Sequence, residues 1–122
     1  MSSIQILQEF QTSLLAFIDE LIQLMPHCGE FIAVKIFVKD RIPITEIIKH
    51  FVKIIIPMEG LIKSRSDHVI IDNAIFKQID PQEKIKEIWG QIDADDRDMM
   101  WKWIEHFLAI TKKYNALITR EP

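Results

Sequence analysis

Apolar residues recur along the first 25 positions at helical spacing. Leu7, Phe10, Leu14, Phe17, Leu21 and Leu24 are separated by three or four residues in alternation, and Leu15, Ile18, Ile22 and Met25 widen the stripe. No period-two alternation competes with it, so a helix is predicted from about Ser3 to Met25. Ser2 or Ser3 supplies an N-cap oxygen, and Pro26 with Gly29 ends the helix. The last third of the chain repeats the pattern. Met100, Trp103, Phe107, Ile110, Tyr114 and Leu117 mark a second long helix from about Ala94 to Leu117, opened by Asp93. Two long terminal helices with matching stripes pack together in an up-and-down bundle.

Between them the pattern is shorter and less regular. In Phe31–Val38 only Lys35 is polar. Such a run suits either a helix or a buried strand. Helix is preferred over 29–40 because no hairpin partner lies nearby, and an almost uniformly apolar helix is expected at the buried centre of a fold. Pro43 opens a further helix whose inner face is Ile44, Ile47, Ile48, Phe51, Val52 and Ile55, and Pro57 ends or kinks it. The stretch 68–79 reads equally as short strand, short helix or irregular chain, with a strand at 68–72 one of the options. Asp80-Pro81 starts a helix carrying Ile85, Ile88, Trp89 and Ile92, which Gly90 keeps short. The expected fold is therefore mainly α. It is a single compact domain over residues 1–122, a bundle of about five helices.

Composition agrees with a chain that builds one ordinary core. The 122 residues are 48% hydrophobic and 27% charged, with a net charge of −3, which argues against disorder. Isoleucine occurs 24 times and alanine 6, a bias that suggests an AT-rich genome and fills the core with stiff β-branched side chains. No apolar run reaches the ~18 residues of a membrane span, and no secretory leader is visible. The lone Cys28 suits a reducing compartment. An intracellular location is expected, in a host cytoplasm or a virion if the source is viral.

Motifs that carry chemistry are scarce. The acidic run Asp93–Asp98 fails the EF-hand pattern, lacking Gly at the sixth loop position and Glu at the twelfth. Negative charge at a helix start is its simpler role. His27, His50, His68, His106 and Cys28 have no zinc-type spacing. Neither phosphate-binding loop nor nucleophile elbow occurs. No cofactor, metal ligand or catalytic residue is expected.

Two surfaces remain as candidates. On a helical wheel with Trp103 at zero, the core residues of the last helix centre near 40°, whereas Trp101 falls at about 160° and Leu108 at about 140°. Glu105 and Lys112 lie beside them. Trp101 and Leu108, flanked by Glu105 and Lys112, are the expected contacts to a protein partner or a second copy, unless another helix of the same chain covers them. The alternative is a nucleic-acid-associated regulator. It would use the modest basic excess of residues 28–66, where Lys35, Lys39, Arg41, Lys49, Lys53, Lys63 and Arg65 face four acidic residues. An enzyme centred on His50, His68 or His106 ranks third.

The order Leu15-x3-Asp19-Glu20-Leu21-x4-Pro26, Phe51-x5-Pro57, Ile88-Trp89 and Met100-Trp-Lys-Trp103-x3-Phe107 resembles small helical proteins of unassigned function from nucleocytoplasmic large DNA viruses. The resemblance implies a viral origin and an all-helical fold, and it carries over no catalytic residue. The expected function is thus that of a non-catalytic interaction or structural protein, acting through a helix face.

Overall fold

The computed structural model describes residues 2–71, 80 and 82–120. The described residues form seven α-helices and one 3-10 turn joined by short turns, with no strand among them. In chain order the elements are α1 (Ser3–Leu24), α2 (Glu30–Asp40), α3 (Ile44–Ile55), a 3-10 turn (Ile56–Met58), α4 (Glu59–Lys63), α5 (His68–Ile71), α6 (Lys84–Ile88) and α7 (Ala94–Arg120). Four helices of eleven or more residues form the frame, and the short α4, α5 and α6 lie along it. The run 29–40 is helix. Residues 68–71 are also helix, while residue 72 and the apolar Ile75, Phe76 and Ile79 lie outside the described residues.

Local chemistry sets the helix ends. Ser2 and Gln5 make a reciprocal capping box, Ser2 Oγ accepting from the Gln5 N–H and Gln5 Oε1 accepting from the Ser2 N–H. Asp93 Oδ1 accepts from the Asp96 N–H at 2.8 Å and caps α7. Asp80 does the same for α6 from a greater distance. Its two carboxylate oxygens accept from the N–H groups of Lys84 and Ile85, both at 2.8 Å. Asp80 is buried, which pushes its carboxyl above the ordinary value, while the two backbone N–H groups pull it back down. Pro57 cannot donate to the α ladder, and the chain tightens there into the 3-10 turn before α4 resumes.

The two long terminal helices pack together, and α3 closes on both. Phe107 of α7 sits at the centre. Its ring meets Phe10 and Phe17 of α1 and Phe51 of α3 edge to face, at centroid separations of 5.9, 5.6 and 5.7 Å. Phe10 and Phe51 close the triangle at 5.2 Å and 82°. Each such geometry adds about 0.5–1.5 kcal/mol beyond area burial. Trp103 extends the cluster, stacked on Phe107 and tilted against Phe17. At the edge of the cluster Ser13 Oγ and His106 Nε2 share a 2.9 Å hydrogen bond between α1 and α7.

Among the described residues one buried side-chain polar atom goes unmatched. Nε2 of His50, on α3, is shut off from solvent without a hydrogen-bond partner. Burial pushes its imidazole below the ordinary value, and the nearby Lys53 charge pushes the same way. Folding therefore favours neutral His50, and the unfolded chain takes up the proton first. The resulting stability is present above the unfolded value of about 6.5. It is lost as pH falls through the lower folded value. Urea midpoints measured between about pH 7.5 and 5 are expected to fall more steeply for wild type than for His50→Leu. Equal slopes would contradict the assignment.

Candidate interaction surface

The face of α7 carrying Trp101, Glu105, Leu108 and Lys112 is an interface, but one made within the chain. Trp101 and Leu108 are buried, at 5% and 6% exposure. The Trp101 ring meets Trp89 edge to face at 5.8 Å, and Trp89 Nε1–H donates to Asp67 Oδ1. Glu105 and Asp98 both accept from Arg65, whose two guanidinium nitrogens reach them at 2.9 and 2.7 Å. Lys112 donates to Glu59 at 2.7 Å. The segment from Glu59 to Trp89 thus supplies a counterpart for each feature of that face except Leu108, which is nonetheless covered. The expectation that Trp101 and Leu108 project outward as partner contacts is corrected. A second apolar stripe on a long helix needs cover, and a neighbouring segment provides it.

Arg65 is placed for this role by backbone geometry. It follows α4 with φ of 52°, in the left-handed region. The Ser66 N–H donates to Leu61 C=O and the Arg65 N–H to Ile62 C=O, the bonding of a Schellman ending. Glycine usually takes that position, so Arg here costs about 1–2 kcal/mol in backbone conformation. The resulting turn aims the guanidinium along α7. Its hydrogen bond holds the Asp98 carboxyl below the ordinary carboxylate value, one from Lys102 assisting, and hydrogen bonds from Lys112 and Lys63 do the same for Glu59.

The basic residues of 28–66 divide. Lys35, Lys63 and Arg65 are held by Asp19, Glu59 and the Asp98–Glu105 pair. Lys39, Arg41, Lys49 and Lys53 are exposed. The acidic run is absorbed locally, Asp93 as a cap and Asp98 in ion pairs. Among the described residues no three His, Cys, Asp or Glu side chains converge as metal ligands would. Cys28 is buried in the core. Ser13 and His106 pair in the geometry of a nucleophile and its base. Ser13 lies mid-α1, however, where backbone N–H groups are spent on the helix ladder and are not free to bind an oxyanion. This pair fastens two helices.

The helix expected at the buried centre is instead peripheral. On α2 only Phe31 and Val38 are buried. Ile32, Ile36 and Phe37 are 50%, 54% and 53% exposed, and Ile42, just beyond the helix, is 44% exposed. Phe37, Ala33, Val34, Ile42 and Ile47 line a concave surface whose polar edge is Glu30, Asp80 and Gln82. Together with Ile32 and Ile36 they leave an apolar patch on the surface of the kind that soluble monomers seldom expose. Among the described residues the other exposed large apolar side chains are Ile4 on α1 and Leu61 on α4. The sequence did carry a signal for α2: eight consecutive residues with one polar position. That pattern shows that both sides of the helix are apolar, not whether both are covered.

Compared with protein-family models, curated proteins and solved structures, the chain matches none. No helix among the described residues is long and apolar enough to cross a membrane.

Trp101→Ala is expected to destabilise the chain by about 3–5 kcal/mol, the cost of emptying a buried aromatic site. A urea midpoint close to wild type would show that Trp101 is not covered.

Proposed function

We propose that this chain is a non-catalytic protein–protein interaction or structural protein that works through the outer face of α2. The half-exposure of Ile32, Ile36 and Phe37 on one helix carries the reading. Contiguous apolar side chains left in water disfavour solubility, and in a folded protein they mark a surface that another molecule covers. The aromatic Phe37 beside a concavity is the kind of residue that anchors such contacts. The resemblance of the proline and tryptophan spacing to small helical viral proteins supports a viral origin within the same reading. The nucleic-acid alternative draws less support, because three of its seven basic side chains are already in ion pairs.

A photo-crosslinking amino acid at position 36, introduced in cells producing the protein, tests this. Position 113, exposed on α7, is the control. A protein adduct from position 36 that position 113 does not give is the expected result. Equal adduct yields from the two positions would contradict the proposal.

A further inference from the structure

We infer that the concavity beside α2 is a binding site for a small amphipathic amine, a two-ring aromatic body carrying a protonated nitrogen. The concavity has a volume of about 340 Å³. Three stretches of chain build it: α2, the entry to α3, and the approach to α6. Its floor is Phe31, Val38 and Ile47, all buried and fixed by the core. Half-exposed Phe37 and Ile42 rise at its sides. Water in such a space finds few polar partners, and an apolar body displaces it favourably. A dry cavity of about 150 Å³ takes one benzene ring, so this volume suits two fused rings.

This site is distinct from the exposed Ile32–Ile36 stripe. On a wheel with Phe31 at zero, Ala33 falls at about 200°, Phe37 at about 240°, Val34 at about 300° and Val38 at about 340°. Ile32 and Ile36 fall at about 100° and 140°. The concavity therefore lies on the flank of α2 turned toward Ile47 and Asp80, and neither Ile32 nor Ile36 lines it.

Charge selects the head group. Among the described residues, the ionisable groups lining the concavity are Glu30 and Asp80, both carboxylates. Asp80 accepts from the N–H groups of Lys84 and Ile85 and serves the α6 cap. Glu30 is exposed and in no ion pair among the described residues. Lys39 and Arg41, at the far end of α2, do not line the concavity, and Lys35 is held by Asp19. A cation whose apolar body rests on Phe31 and Val38 thus meets the Glu30 carboxylate at the rim. An anionic head on the same body meets that carboxylate as a like charge and is disfavoured.

A methyl-resolved NMR titration of the full chain tests this with three molecules that share one body: 1-naphthylmethylammonium, 1-naphthylmethanol and 1-naphthylacetate. The methyls of Ala33, Val34, Val38 and Ile42 are expected to shift with the ammonium probe, while those of Ile32 and Ile36 stay. The ammonium should bind about tenfold tighter than the alcohol, and the acetate more weakly than either. Glu30→Gln should erase the ammonium's advantage and leave the alcohol's affinity within about twofold, with the methyl spectrum verifying the fold. No shift with any probe, or shifts centred on other residues, would overturn the site. Equal affinities, tightest binding of the acetate, or an ammonium advantage that survives Glu30→Gln would overturn the amine as its ligand. Crosslinking from position 36 reads the opposite arc of α2, so neither experiment decides the other.

Discussion

The contact between Phe107 and the rings of Phe10, Phe17 and Phe51 is the constraint on which the structure depends. One ring on α7 touches both α1 and α3, so the three helices cannot be placed independently. Edge-to-face geometry fixes angles as well as distances, a stiffer requirement than aliphatic burial alone. Trp103 and the Ser13–His106 hydrogen bond extend the same seam along α1 and α7.

This cluster leaves two surfaces uncovered, and they meet different fates. The far side of α7 is clad by the chain itself, through Trp89 on Trp101, Arg65 on Asp98 and Glu105, and Glu59 on Lys112. Its ion pairs are exposed, and pairs of that kind contribute little to stability. The buried indoles carry the energy, and the charges fix the register. On the other side, α2 lies against α1 through Phe31 and Val38, with Lys35 tied to Asp19 at 2.6 Å. The inward side of α2 is thereby used up, while its outer side remains apolar. The functional reading follows from this asymmetry: one apolar helix face has an internal partner and the other has none among the described residues.

Much of the fold was legible in sequence because helical period and capping are local. The stripes of α1 and α7 identify Phe10, Phe17 and Phe107 as inward. Ser2, Asp80 and Asp93 announce helix starts, and Pro57 announces the break. Which neighbour covers a given face is not local. A wheel sets Trp101 off the main arc of α7, yet cannot tell a partner protein from Trp89, 12 residues upstream in the same chain. The polar run Ser64-Arg65-Ser66-Asp67 reads as a loop, but its left-handed residue carries no signal because it is not glycine. For α2 the error ran the other way. Apolar residues on all sides of a helix predict burial on all sides, whereas here they mark one covered side and one open side.

Carbene footprinting across protein concentration tests the central claim most directly, since it reads side-chain exposure at both faces in one sample. The account predicts strong labelling of Ile32, Ile36 and Phe37 in dilute solution. Trp101 and Leu108 should stay unlabelled throughout. Trp101 labelled as strongly as Ile36, or an α2 face already protected at the lowest concentration, would contradict it.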